Sequence, residues 1–85
     1  MKYGLYTIYD KVAQEKGPLF EAKSDAVASR SARKLLSEVI AVDDFKLLRV
    51  GYSDKTTGMI TCEVFPVEID PYALDIQLTD KELKQ

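Results

Sequence analysis

The sequence predicts an α+β domain whose elements follow one another in the order β-α-β-β. Three observations predict it: an alternating strand pattern at residues 2–9, an unbroken helical period from residue 25, and two β-rich runs on either side of residues 54–58. We expect a three-stranded, antiparallel-containing sheet with the helix on one face. Because one helix covers only one face of such a sheet, we expect a second copy of the chain to complete the fold.

The first predicted strand, KYGLYTIY, is rich in residues that favour a pleated and half-buried surface. A polar connection follows at residues 10–19, where Gly17 and Pro18 interrupt any strand, and residues 20–22 form a short extended stretch. The alternation of side chains places one row of the first strand on a single face: Tyr3, Leu5, Thr7 and Tyr9.

The predicted helix begins at Ser24 or Asp25, since either side chain can accept a hydrogen bond from a free amide of the first turn. It runs to about Ile40 without Pro or Gly. An apolar stripe at helical spacing consists of Ala28, Ala32, Leu35, Leu36 and Val39. Basic side chains lie away from that stripe: Arg30, Arg33 and Lys34.

The second and third strands, residues 45–53 and 59–67, form a predicted hairpin around the loop DKTTG, in which Gly58 adopts a positive φ. Pro66 indicates an edge strand or the exit from a strand. We expect the helix to be faced by Leu48, Val50, Tyr52, Ile60, Cys62 and Val64. The opposite face then carries Phe45, Leu47, Arg49, Met59, Thr61, Glu63 and Phe65. Periodicity leaves open which of these faces the row of the first strand joins.

The charge pattern divides the chain into a domain at residues 1–67 and an acidic tail at residues 68–85. The domain holds 10 basic and 9 acidic residues, a net of +1, whereas the tail holds two lysines against five carboxylates, a net of −3. Thr79 and Glu82 have the spacing of a capping box and predict a short helix from Asp80. The alternative is a tail without fixed structure.

The composition argues against an enzyme. The chain has no His and no phosphate-binding glycine motif, so we expect no catalysis, no cofactor and no metal site. The single Cys62 lies in the middle of a strand, which predicts a small buried side chain, and an unpaired cysteine suits a reducing, intracellular location. No apolar run is long enough to span a membrane, and the first ten residues do not resemble a signal peptide.

Tyrosines and basic residues are the candidates for binding. Strand tyrosines can stack on the bases of single-stranded nucleic acid while cations neutralise the phosphates. The candidate stacking residues are Tyr3, Tyr6, Tyr9 and Tyr52, and the candidate phosphate contacts are Arg30, Arg33, Lys34, Lys46 and Arg49. The alternative is that the tyrosines are half-buried with their hydroxyls in water and that the helix cations form a solvated face.

Three stretches, GLYTIYD, GPLFEAKSDAVASR and LLRVGYSDKTTGMI, resemble the small non-structural protein of gokushovirus-type microviruses, which are single-stranded-DNA phages. The resemblance covers roughly residues 1–69. The chain departs from the family at residues 65–67, which read Phe-Pro-Val where a Pro-Pro pair is common. The matching positions are Leu5, Tyr6, Asp10, Pro18, Phe20, Ser24, Asp25, Arg30, Leu48, Gly51, Asp54 and Gly58.

The resemblance implies a phage protein that is made in the cytoplasm of the bacterial host and takes part in viral DNA replication. The first hypothesis is therefore a homodimer that binds single-stranded DNA, with an affinity that falls steeply with salt. The acidic tail would then compete for the basic surface or recruit a replication protein. The second hypothesis is an adaptor that modulates a host or phage replication factor without touching DNA, and the near-neutral charge favours it.

Overall fold

A computed structural model describes residues 1–37 and 42–70 of the chain. It confirms an α+β fold in which one helix packs on a curled and mostly antiparallel sheet. The strands are β1 (Lys2–Asp10), β2 (Glu15–Lys16), β3 (Phe20–Ala22), β4 (Phe45–Asp54) and β5 (Ile60–Ile69). The helix is α1 (Asp25–Leu36), and a single 3-10 turn (Val42–Asp44) precedes β4.

The sheet is built around β1. Its order is β2-β1-β4-β5, and β3 also pairs with β1, so that β2 and β3 lie end to end along one edge of that strand. All of these pairs are antiparallel. The described sheet therefore has two short strands beyond the three that the sequence predicts, and both come from the segment after β1.

Two aspartates organise the tight turns. The Asp10 carboxylate accepts hydrogen bonds from the backbone amides of Val12 and Ala13, both at 3.0 Å, in the turn between β1 and β2. The Asp54 carboxylate accepts from Thr56 at 2.9 Å, and this bond lowers the pKa of Asp54. Gly58 closes the β4–β5 turn with φ of +79°, so the predicted hairpin and its positive φ are confirmed.

The helix begins where the sequence predicts. Ser24 is the N-cap, and its hydroxyl accepts a hydrogen bond from the Val27 amide at 3.3 Å. Ala28 and Ala32 are completely buried, because their small side chains let the helix backbone lie close to the sheet. The core around them comprises Tyr6, Ala22 and Leu47, with Ile8, Phe20, Val27 and Ile69 at its border. Leu35 is 63% exposed, and Val39 and the predicted helix end at Ile40 lie outside the described residues.

A β-bulge in β4 overturns the predicted assignment of sheet faces. Tyr6 of β1 lies opposite Arg49, but the preceding Leu5 lies opposite Gly51, so Val50 is an extra residue. Before the bulge Leu47 faces the helix and is fully buried. The predictions for Leu47, Leu48 and Arg49 were wrong because the alternation of β4 changes phase at the bulge. The prediction for Tyr52 was right, since Tyr52 lies opposite Gly4 on the helix side.

The last strand is an irregular edge. β5 pairs with β4 at residues 60–62 and again at residues 67–69, while residues 63–66 bulge away from a single residue of β4. Val64 is 90% exposed. Cys62 is exposed as well, so the prediction of a buried cysteine was wrong. Within the described residues β5 has no second partner, which confirms the edge strand, one of the two alternatives that Pro66 indicates.

The boundary between domain and tail shifts slightly. β5 continues to Ile69, two residues beyond the predicted end of the domain. The predicted helix from Asp80 lies outside the described residues.

The backbones of β4 and β5 approach each other closely at Gly51, and a substitution there tests this packing. A Cβ atom there would overlap the Thr61 carbonyl oxygen and lie 3.2 Å from the Cα of Cys62. We expect Gly51→Ala to lower the free energy of unfolding by about 1–3 kcal/mol, because the backbone must shift to admit the methyl group. Urea denaturation measures this, with the exposed Lys16→Ala as the control. A Gly51→Ala protein as stable as the control would contradict the packing described.

Candidate nucleic-acid interface

The sheet face opposite α1, called the open face here, carries one row from each of the two central strands. Strand pairing places residues that lie directly opposite each other on the same side of a sheet. Tyr9 pairs with Lys46, Thr7 with Leu48, and Tyr3 with Ser53. The open face therefore holds Tyr3, Leu5, Thr7, Tyr9, Lys46, Leu48 and Ser53.

A lysine accompanies each of the two tyrosines on the open face. The Lys46 ammonium lies 5.2 Å from the centre of the Tyr9 ring, and the Lys55 ammonium lies 5.0 Å from the centre of the Tyr3 ring. Both rings are half-buried. Six residues of strand separate the two tyrosines, a distance of roughly 20 Å. The face thus presents two similar aromatic and cationic pairs at its two ends.

The open face carries charges of both signs. Lys55 forms a 2.7 Å ion pair with Glu21, and the hydrogen bond from Lys55 lowers the pKa of Glu21. Glu68 lies opposite Leu48 and adds a second carboxylate to this side of the sheet. By the same pairing Lys16 lies opposite Tyr9. Three lysines therefore stand against two carboxylates on this side of the sheet, and aromatic surface remains the more distinctive property of the open face.

Tyr6 lies on the other side of the sheet and is not a stacking surface. Its side chain is 1% exposed, and its ring packs against Phe20 with the centroids 5.8 Å apart. Its hydroxyl donates a 2.6 Å hydrogen bond to Oδ1 of Asp25, the first residue of the helix. The expectation that Tyr6 stacks on bases was wrong, because the alternation of β1 turns this ring towards the core.

Arg49 also faces the helix. One terminal nitrogen donates a 2.8 Å hydrogen bond to Oδ2 of Asp25, and the other lies 3.5 Å from Glu63. Its guanidinium lies 5.3 Å from the centre of the Tyr52 ring. Desolvation lowers the pKa of Arg49, but the bond to Asp25 and the nearby negative charges outweigh it and raise that pKa. Two carboxylates already neutralise Arg49, so the structure does not offer it as a phosphate contact.

A cavity of about 340 Å³ opens beside this cluster, at the start of the helix. Its lining consists of Lys2, Gly4, Tyr6, Lys23, Ser24, Asp25, Arg49 and Tyr52. Lys2, Lys23 and Arg49 bring positive charge to this lining, and its carboxylate, Asp25, is already bonded to Arg49. Tyr52 belongs to this cavity and not to the open face.

The basic residues of the helix form a third, separate region. Arg30 and Lys34 are exposed and Arg33 is half-buried. Because α1 packs on the face that holds Tyr6 and Leu47, these cations lie on the opposite side of the sheet from Tyr3 and Tyr9. The structure thus divides the residues that the sequence grouped together, leaving Tyr3, Tyr9 and Lys46 in one place.

The sequence analysis missed the role of Asp25 as an anchor between helix and sheet. A signal was present: Gly4 stands two residues before Tyr6 and therefore on the same face. A Cβ atom at Gly4 would overlap the Tyr6 ring. Because glycine has no Cβ atom, the Tyr6 ring can lie along the strand over Gly4, and its hydroxyl can reach the helix.

Most of the chain matches a known protein family. The model of the Phage ORF5 protein family matches residues 3–73 of the 85-residue chain. The molecule is thus a small phage protein, as the resemblance implied. It belongs to the Phage ORF5 protein family. No curated protein and no solved structure matches it. Within the described ranges, the helix is too short and too polar to cross a membrane.

The hydroxyl of Tyr6 should make stability depend on pH in the alkaline range. Burial, reinforced by the hydrogen bond to Asp25, raises the pKa of Tyr6 above its usual 10.0. Above pH 10 the Tyr6 hydroxyl of the unfolded chain loses its proton, while that of the folded protein keeps it. The free energy of unfolding therefore falls as pH rises, by up to about 1 kcal/mol between pH 10 and 11. Urea denaturation at several pH values should show a shallower fall in Tyr6→Phe. Parallel profiles for the two proteins would contradict the prediction.

Proposed function

We propose that the protein binds single-stranded DNA through the open face during phage DNA replication, as a homodimer in the cytoplasm of the bacterial host. The observation that carries the proposal is the pair of partly exposed tyrosines on one sheet face, each with a lysine about 5 Å from its ring. The resemblance to non-structural proteins of single-stranded-DNA phages points to the same ligand.

Stacking supplies most of the affinity in this proposal. A base that stacks on an exposed aromatic ring contributes about 1–3 kcal/mol, and every base has a face that can stack. Tyr3 and Tyr9 are half-buried, so the sheet holds their rings in place while part of each ring meets solvent. A ring already fixed by the sheet loses little side-chain entropy when a base binds, which favours association.

Lys46 and Lys55 supply the phosphate contacts. A lysine side chain is long and flexible, so its ammonium can leave the ring and meet a phosphate when a base takes its place. Lys55 must also exchange its ion pair with Glu21, and an exposed pair of this kind is worth only about 0–1 kcal/mol. Two phosphate contacts correspond to a slope of about −1.4 in log affinity against log salt, shallower than the sequence suggested.

The chemistry requires no catalytic group, cofactor or metal. Stacking and charge neutralisation are equilibrium contacts, and we propose a binding protein and not an enzyme. Arg30, the basic position that the resemblance matches, lies away from the open face and would at most contact a more distant part of the DNA.

A test of the proposal uses fluorescence anisotropy with labelled oligo-dT. We expect Tyr3→Leu with Tyr9→Leu to weaken binding at least tenfold, because two stacking surfaces are lost. Leucine keeps an apolar side chain at each position, and urea denaturation should show that the variant remains folded. A folded variant with unchanged affinity would refute the open face as the binding site.

The charges are tested by two variants that each remove two positive charges. We expect Lys46→Ala with Lys55→Ala to reduce the salt slope by about 1.4, whereas the matched Arg30→Ala with Lys34→Ala should change it by less than about 0.7, the value of one phosphate. If the helix variant reduced the salt slope more than the Lys46 and Lys55 variant, the interface would lie on the helix and not on the open face.

A second candidate function is a protein-interaction adaptor that acts on a replication factor, and the exposed apolar residues of β5 favour it. The anisotropy experiment separates the two candidates. If the unmodified protein shows no salt-sensitive binding to oligo-dT at micromolar concentration, the adaptor is the better account.

A further inference from the structure

The edge of β5 concentrates apolar surface that the fold itself does not use. Among the described residues, four large apolar side chains in and next to this strand are more than 60% exposed: Met59, Ile60, Val64 and Phe65. The backbone groups along the outer side of β5 have no partner strand in the described part of the chain. A long apolar edge of this kind is a template for pairing with another strand.

We propose that β5 pairs antiparallel with β5 of a second copy, about a two-fold axis between Val64 and Phe65. This register sets residues 60–62 of one copy opposite residues 67–69 of the other, the same two stretches that pair regularly with β4. The bulged residues 63–66 of the two copies then face each other. Pro66, which has no amide hydrogen, falls in the bulge, where no ladder bond is needed.

Charge also suits a second copy. In this register Glu68 lies opposite Thr61 of the other copy, so the two copies of Glu68 do not meet. Glu63, at the centre, already lies 3.5 Å from Arg49 of its own chain. The paired edge therefore brings together apolar side chains without placing like charges opposite one another, which would be destabilising in a sheet.

The apolar area is of the size that a dimer needs. Four side chains of this type, each more than 60% exposed, offer on the order of 300 Å² of apolar surface per copy. A standard interface takes roughly 800 Å² from each partner, of which about 60% is apolar. The four side chains thus supply more than half of the apolar part, and the backbone and flanking residues of the strand supply more.

The two-fold axis has a consequence for the open face, and this step rests on the proposed function. Antiparallel pairing of equivalent edges requires an axis perpendicular to the sheet, so both helices lie on one side and both open faces on the other. Five strand spacings then separate the two copies of β1, roughly 24 Å. A DNA strand of sufficient length would contact the tyrosines of both copies and gain affinity through avidity.

The oligomeric state tests the surface without DNA. We expect sedimentation equilibrium to show a dimer of the unmodified protein at high micromolar concentration. Val64→Glu with Phe65→Glu should weaken the association at least tenfold, because four carboxylates would meet at the axis. The matched control, Val12→Glu with Leu35→Glu, adds the same charge at exposed apolar positions away from β5 and should still dimerise. A monomeric unmodified protein, or a dimer that survives the β5 variant, overturns the proposal.

Cys62 provides a direct measure of the register, since it is the single cysteine of the chain and is exposed on β5. Nitroxide labels on this residue in the unmodified sequence should lie about 17 Å apart along the paired strands, plus the reach of the labels. Electron–electron resonance measures that distance. A well-defined distance beyond about 40 Å would place the interface elsewhere and refute the pairing.

The length of the DNA separates this proposal from the proposed function. With the dimer, an oligonucleotide long enough to bridge both open faces should bind at least tenfold more tightly than a short one, and the β5 variant should lose that gain while still binding the short one. Dimerisation without DNA binding would refute the function and keep the interface. DNA binding by a monomer would refute the interface and the dimeric state in the proposed function, and would keep DNA binding through the open face.

Discussion

The fold depends on one carboxylate at the start of the helix. Asp25 accepts a hydrogen bond from the Tyr6 hydroxyl of β1 and another from the Arg49 guanidinium of β4, so a single side chain joins the helix to both central strands. The apolar core behind it is small, because the helix contributes two alanines at the point of closest approach. Bonds to charged groups contribute more than neutral ones, and in a core of this size they fix the position of the helix.

This anchor decides which residues are available for function. The side chains of Tyr6, Arg49 and Tyr52 lie on the helix side. There the Tyr6 hydroxyl and the Arg49 guanidinium bind carboxylates, and the Tyr52 ring packs against the guanidinium. In the opposite row of β1 Thr7 is fully buried, whereas the rings of Tyr3 and Tyr9 stay partly exposed. The partly exposed rings of Tyr3 and Tyr9 and the apolar edge of β5 therefore lie on separate parts of the sheet, so the proposed DNA-binding surface and the proposed dimer edge do not overlap.

The departures from the sequence-based expectations have two local causes. The bulge at Val50 shifts the alternation of β4 by one residue, so a face assigned from period-two spacing is right for Tyr52 and wrong for Leu47. The second irregularity, at residues 63–66, moves the middle of β5 away from β4 and leaves Val64 exposed. Neither bulge has a reliable signal in a single sequence, because each results from the pairing of separate strands, such as Leu5 of β1 with Gly51 of β4.

The sequence by itself determined the main elements and their order: the first strand, a helix that starts at Ser24 or Asp25, and the hairpin with its positive φ at Gly58. These depend on local backbone chemistry, which neighbouring residues specify. Only the tertiary structure decided which tyrosines are accessible and which basic residues already have carboxylate partners. Tyr6 and Tyr9 are alike in the sequence, but Asp25 lies 2.6 Å from the hydroxyl of one, and a lysine of the paired strand lies over the ring of the other.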